Sequence, residues 1–147
     1  MELGLVGLGR MGGNMAVRLL RAGHRVVGFD PAEPARRAAS AEGVAAVTSP
    51  AALVAALTPP RAVWLMVPAG PTTERAVDEL AALLAPGDLI VDGANTHYKD
   101  DLRRGPALRA RGLHYVDAGV SGGIWGLREG YCLMVGGERE AVERLTP

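Results

Sequence analysis

The sequence holds one cysteine, one phenylalanine, a single lysine at Lys99 and no excess of charge of either sign. Each scarcity excludes something. Cys132 has no partner in the chain, so no internal disulfide can brace the fold, and a reducing, cytoplasmic setting is expected. In the apolar run Tyr131-Cys132-Leu133-Met134-Val135 it reads as a small buried residue rather than a nucleophile. Lys+Arg 16 balance Asp+Glu 16, so neither a nucleic-acid surface nor attraction to an acidic membrane is expected. No window approaches the ~18–20 apolar residues that span a bilayer. The N-terminus opens on a strand pattern with no basic segment ahead of a long apolar one, so no secretory signal is expected. What remains is 147 residues, 48% hydrophobic and 22% charged, enough for one domain with its own core.

Short apolar runs alternate with helix-like segments along the whole chain. Leu3–Val6, Arg25–Phe29, the weaker Val44–Val47, Ala62–Val67, Asp88–Val91, Leu113–Val116 and Tyr131–Val135 read as strands. Apolar on both faces, they suit a parallel sheet covered by helices on each side. Met11–Ala22 carries Met15, Leu19 and Ala22 on one helical stripe, with Gly23 at the C-cap. Thr73 precedes a helix over Glu74–Leu84, with Ala76, Val77, Leu80, Leu83 and Leu84 at helical spacing and Pro86-Gly87 beyond it. Lys99–Arg111 is an arginine-rich helix with Leu102 and Leu108 as its inner positions, and Glu138–Leu145 is a last helix. Strand and helix alternating in this way imply right-handed crossovers and a doubly wound, mostly parallel α/β sheet with helices on both faces.

The first strand runs directly into Gly7-Leu8-Gly9-Arg10-Met11-Gly12, which in turn opens the first helix. A G-x-G-x-x-G pattern in that context has a mechanical reading. Gly7 permits the tight turn, Gly9 lets backbone approach a pyrophosphate, and Gly12 lets the helix lie close on the strand. The helix's first-turn N–H groups and positive dipole end then face the phosphates. An acidic residue is expected about 20 positions on, at the end of the second strand, and Asp30 stands there. Residues 1–147 are thus expected to form a Rossmann-type domain, with Gly7, Leu8, Gly9, Arg10, Met11, Gly12 and Asp30 contacting a nicotinamide dinucleotide. The Asp30 carboxylate can accept from both ribose hydroxyls and would repel a 2′-phosphate, so NAD is expected over NADP. Arg36 and Arg37 are expected on the solvated face of a short helix.

Two further segments, Asp92-Gly93-Ala94-Asn95-Thr96-His97-Tyr98-Lys99-Asp100 and Val120-Ser121-Gly122-Gly123-Ile124-Trp125-Gly126, sharpen this. With the opening Gly7–Met15 they resemble the 6-phosphogluconate dehydrogenases of the β-hydroxyacid dehydrogenase superfamily, over essentially the whole chain. The first is similar to the asparagine loop of that branch. The second is similar to its substrate loop, in the tryptophan version of the shorter, often NAD-linked bacterial subgroup. The resemblance implies that Val67, Pro68 and Ala69 pass under the adenine-ribose side of the cofactor. It implies that Asn95 meets both the nicotinamide ribose and the substrate, and that Ser121, Gly122 and Gly123 hold the substrate's carboxylate end. A hydroxyl and paired glycines with approachable N–H groups suit an anion. Taken alone, Asn95 also reads as a turn former and Ser-Gly-Gly as a flexible turn. Ala94 and Thr96 depart from the glycine and serine common in the family. His97 is expected exposed on its loop, His24 and His114 structural, Trp64 in the core and Trp125 in a pocket wall.

The implied reaction is oxidation of the C3 hydroxyl of 6-phosphogluconate with hydride transfer to the nicotinamide, followed by loss of CO2 to give ribulose 5-phosphate. No metal is expected, because the 3-keto group itself accepts electrons during decarboxylation. The family's general base and acid are a lysine and a glutamate in a helical segment after the dinucleotide domain. Lys99 does not match that lysine's motif, so no catalytic residue is expected in residues 1–147. Thr146-Pro147 has the hydroxyl-then-proline order of a helix start, so the natural protein is expected to continue into that helical domain, through which it would form a homo-oligomer. Two other readings stand beside this one: a 3-hydroxyisobutyrate-type dehydrogenase, and a catalytically silent nucleotide-binding module. Asn95 followed by Tyr98-Lys99-Asp100 argues for the sugar-acid enzyme over its superfamily rival.

Overall fold

The computed structural model describes residues 1–146, so Pro147, and with it the expected helix start, lies outside the described residues. Seven strands form one sheet in the order β3-β2-β1-β4-β5-β6-β7. They are β1 (Glu2–Val6), β2 (Arg25–Phe29), β3 (Ala45–Val47), β4 (Ala62–Leu65), β5 (Leu89–Asp92), β6 (His114–Ser121) and β7 (Cys132–Gly137). β1 to β6 pair in parallel and β7 joins β6 antiparallel. The order reverses between β1 and β4, which leaves a crevice at their carboxyl ends where ligands of doubly wound sheets bind.

Helices α1 (Arg10–Arg21), α2 (Glu33–Ala41), α3 (Pro50–Ala55), α4 (Pro71–Leu83) and α5 (Tyr98–Arg109) make the crossovers, and α6 (Gly126–Glu129) and α7 (Arg139–Glu143) follow. One core layer gathers Leu3, Leu5, Met15, Ala16, Val26, Trp64 and Val91, with the ends of α6 and α7 against it. The other gathers Val27, Leu53, Val63, Leu65, Val77, Leu80, Ile90 and Leu108 under α3, α4 and α5. The expected Rossmann-type doubly wound sheet is therefore the fold. Short α3 was not expected, although Ser49 caps it by accepting from the Ala52 N–H at 3.1 Å and Pro50 sits at its first position.

Several expected inner positions differ. β7 is exposed along its whole length, Cys132 included, because it is the sheet's last strand and neither of its faces has a covering layer. Leu102 is 69% exposed, and the inward stripe of α5 is Asp101, Arg104 and Leu108 instead. Hydrophobicity cannot find such a stripe, since the inward group at Arg104 is a charge with buried partners. In α1, Gly12, Met15, Ala16 and Val17 are buried while Ala22 is exposed at the C-cap. Leu83 of α4 points outward, and the helix begins at Pro71, so Thr73 lies inside its first turn and not ahead of it. Trp64 is buried as expected; its Nε1 has no hydrogen-bond partner among the described residues. No helix among them is long and apolar enough to cross a membrane.

Candidate dinucleotide-binding site

Gly7 leaves β1 at φ +96, a conformation open chiefly to glycine, and a Cβ there would strike the Met66 carbonyl. A Cβ on Gly12 would run into the Gly7 carbonyl, so α1 can lie on the turn only with hydrogen at that position. Gly9 is different: nothing stands within 4 Å of a Cβ built on it. It is the N-cap of α1 and brings no side chain to the first-turn N–H groups, and no acidic residue occupies that turn. A helix start with open donors and no competing carboxylate is a place for an anion.

Asp30 follows β2 and reaches back to this turn. Its Oδ2 accepts from the Leu8 N–H and its Oδ1 from the Ala32 N–H, both at 2.8 Å. The carboxylate therefore fixes the middle of the glycine turn, a role that spacing alone did not reveal. Arg36 does not sit on a solvated face: its Nη1 donates to the carbonyls of Asp30 at 2.7 Å and Pro31 at 2.9 Å. Arg37 is solvated as expected, 81% exposed beside Glu33. On the other side of the crevice, Val67, Pro68 and Ala69 leave the end of β4, and the buried Thr73 hydroxyl holds the Pro68 carbonyl at 3.0 Å.

Asn95 stands in the loop after β5 with φ 55, the one side-chain-bearing residue in the left-handed region among the described residues. Its amide pairs with Val120 as a peptide would. The Val120 N–H donates to Oδ1 at 2.8 Å, and Nδ2 donates to the Val120 carbonyl at 3.2 Å. The loop of Asn95 and the turn Ser121-Gly122-Gly123 are thereby joined at the carboxyl ends of β5 and β6. Ser121 is exposed, and Gly122 (φ +130) and Gly123 (φ +50) both take conformations that disfavour side chains. Trp125, expected in a pocket wall, is 64% exposed, while Tyr131 folds under α6 with its hydroxyl near the Met11 carbonyl at 3.4 Å. His97 is exposed as expected and caps α5, its Nδ1 accepting from the Lys99 N–H at 3.3 Å. His24 meets the N-terminal amine and His114 meets Glu138, both away from the crevice.

Beneath the Asn95 loop lies a polar cluster that sequence reading missed. Asp92, fully buried, accepts from the Ala94 N–H through Oδ1, and from Thr96 Oγ1 and Arg104 Nη1 through Oδ2, the last two at 3.0 Å. Arg104, 3% exposed, also donates to Glu74 Oε2 through Nε and Nη2. The Tyr115 hydroxyl lies 2.7 Å from Asp101 and 3.1 Å from Asp92. Burial, with the Asp92 charge beside it, pushes the Tyr115 phenol far above its usual range, so it remains a donor. Hydrogen bonds from Arg103 and Arg104 hold the Glu74 carboxyl at about 2. Asp117 is shifted the other way, raised by burial and then by the charges of Asp101 and Asp92.

A family model described as the NAD binding domain of 6-phosphogluconate dehydrogenase matches residues 2–147. The chain belongs to that family. It is 44% identical over 147 residues to the NAD(+)-dependent, decarboxylating 6-phosphogluconate dehydrogenase of Haloferax volcanii, covering 100% of this chain and 48% of that one. The chain spans about half the length of the curated relatives first matched. Among solved structures, a 3-hydroxyisobutyrate dehydrogenase of Mycobacterium tuberculosis with L-serine aligns at TM-score 0.89 and 33% identity, over 99% of this chain and 50% of its own. The 6-phosphogluconate dehydrogenase of Plasmodium falciparum, solved with NADP+ and with 6-phosphogluconate, aligns at TM-score 0.88 and 29% identity, over 97% and 32%. The chain is thus a nicotinamide-dinucleotide-binding domain of the β-hydroxyacid dehydrogenase type.

Proposed function

We propose that this chain forms the cofactor half of an NAD-linked oxidative decarboxylase acting on 6-phosphogluconate. The observation that carries the reading is the Asn95–Val120 pairing, which joins the two loops resembling the sugar-acid branch beside the glycine turn. When bound, the dinucleotide supplies a hydride acceptor. Gly7, Leu8, Gly9, Arg10, Met11 and Gly12 hold its pyrophosphate with N–H groups. Asp30 accepts from the adenosine ribose, and Val67, Pro68 and Ala69 floor that side. Asn95 borders the nicotinamide ribose and the substrate, and Ser121, Gly122 and Gly123 hold the substrate carboxylate. The proton-transferring lysine and glutamate belong to a helical domain outside these residues, which also carries the oligomer contacts. NAD is favoured because Asp30 places a fixed charge where a 2′-phosphate would come, and Arg36 is committed to backbone carbonyls.

The near-equal likeness to a 3-hydroxyisobutyrate dehydrogenase keeps that chemistry as the second reading. Steady-state assays of the protein at its full natural length, with each substrate and each coenzyme, separate the two. Turnover of 6-phosphogluconate with NAD at a kcat/KM at least tenfold above that with NADP is expected; turnover of 3-hydroxyisobutyrate alone rejects the proposal. Calorimetric titration with NAD tests the turn itself. Because a side chain at position 9 meets open space, Gly9→Val leaves the fold intact and abolishes binding. Equal heats for both proteins place the cofactor elsewhere.

A further inference from the structure

The strongest group outside the proposed contact residues is the buried guanidinium of Arg104. It is 3% exposed, and it bonds to the foundations of both loops. On one side Nη1 reaches Asp92 Oδ2 at 3.0 Å and Thr96 Oγ1 at 3.3 Å, in the loop that presents Asn95. On the other, Nε and Nη2 reach Glu74 Oε2 at 3.0 and 2.7 Å. Glu74 lies in the first turn of α4, next to the Thr73 hydroxyl that pins Pro68. One planar fork therefore ties the Val67–Ala69 loop to the Asn95 loop.

We propose that Arg104 is a positioning residue that sets the spacing of the two loops flanking the crevice, and so the register in which Asn95 meets Val120. The proposal rests on the reading of Asn95 and Val67–Ala69 as site residues. The chemistry requires a guanidinium. Asp92, Asp101 and Glu74 crowd this spot, with Asp117 paired beside Asp92 in the sheet, so a cation is needed. A lysine brings the charge, but its single nitrogen cannot bridge Asp92 and Glu74 as the three nitrogens of the fork do. Thr96 passes the constraint to the loop: its hydroxyl also lies 3.0 Å from Asp92 Oδ2, one residue beyond Asn95. A serine at this position would keep that hydroxyl, whereas a valine would lose it.

The test uses the full-length protein with Arg104→Lys, Thr96→Val, Thr96→Ser and, as a control whose partner is Glu138 outside the bridge, Arg109→Gln. The last removes a charge from the solvated side of the same helix. Amide hydrogen exchange is read at Ala94 and Val120, whose N–H groups are held by Asp92 and Asn95, and at Leu5 and Ile90 in the sheet. Arg104→Lys and Thr96→Val are expected to speed exchange at Ala94 and Val120 at least tenfold with the sheet unchanged. Thr96→Ser and Arg109→Gln are expected to match wild type. In Arg104→Lys and Thr96→Val kcat falls at least tenfold while the NAD dissociation constant changes less than threefold, and Thr96→Ser keeps the wild-type kcat. Unchanged loop amides in Thr96→Val, or equal acceleration in loop and sheet, overturn the proposal. Should Arg104→Lys fail to fold, Thr96→Val decides. Local acceleration in a protein whose wild type ignores 6-phosphogluconate upholds the positioning role and rejects the substrate reading.

Discussion

Asp30 holds the glycine turn and, in the proposed function, also takes the adenosine ribose. Both its oxygens accept N–H groups, one from the glycine turn, which leaves their remaining lone pairs for a ribose. Asparagine offers one acceptor oxygen where the carboxylate has two. Asp30→Asn is therefore expected to weaken NAD binding by about 1.5–3 kcal/mol without creating strong NADP binding. Fluorescence titration with both reduced coenzymes checks this; an outright switch to NADPH would mean the Leu8 bond is unimportant. At Gly12 the expectation is steric. A methyl group there meets the Gly7 carbonyl, so Gly12→Ala lifts α1 from the turn and costs about 1–3 kcal/mol in urea unfolding. Asp117 adds a pH signature. Its folded-state affinity for a proton is raised, so the native protein binds the proton more tightly than the unfolded chain. Stability at this site is fully present below the usual carboxylate range and declines as pH rises through the raised value. Asp117→Asn should raise the melting temperature at pH 7 and leave it unchanged at pH 3.

At the scale of elements, α4 and α5 are joined through Glu74, Arg103 and Arg104 rather than through apolar contact alone. Glu74 carries the opposite signature to Asp117, with its carboxyl held at about 2. Its contribution is fully present above the ordinary range near 4.5 and is lost as pH falls toward 2. Glu74→Gln should narrow the stability gap between pH 7 and pH 2 in chemical unfolding; an unchanged gap would show the pair to be solvated. Most of these elements were legible. Apolar runs mark the inner parallel strands because these are covered on both faces, the edge strand β3 is fainter because it is half exposed, and the glycine turn fixes where α1 begins. α3 is not legible although Ser49-Pro50 is a helix-start signal, since six residues carry too little periodicity. α5 was placed correctly but rotated, because a stripe with a buried arginine reads as solvent-facing.

The whole molecule has a closed half and an open half. β1 lies between β2 and β4 with helices on both faces, whereas β7 ends the sheet with Leu133 at 43%, Met134 at 58% and Val135 at 45% exposure. Tyr98, Leu102, Ile124 and Trp125 are also exposed. An apolar edge strand is a template for pairing with a second copy. The chain by itself should self-associate reversibly in sedimentation velocity, and Met134→Lys should shift it toward monomer. A monomer at all concentrations would show this edge to be inert.

Sequence by itself determined the alternation of strand and helix, the three glycines of the turn, and the placing of Asp30, Asn95 and Ser121-Gly122-Gly123. The alternation, the turn and Asp30 rest on local rules, namely side-chain periodicity, backbone freedom and spacing along a strand–turn–helix unit, whereas Asn95 and Ser121-Gly122-Gly123 are picked out by the family resemblance. Tertiary structure alone decided that Asp30 grips Leu8, that Asn95 pairs with Val120, and that Arg104 lies buried among carboxylates. The hydrogen bonds that do this join residues 12 to 30 positions apart. The glycine turn is therefore readable from one segment, while the crevice around it is set by distant residues whose burial no local pattern announces.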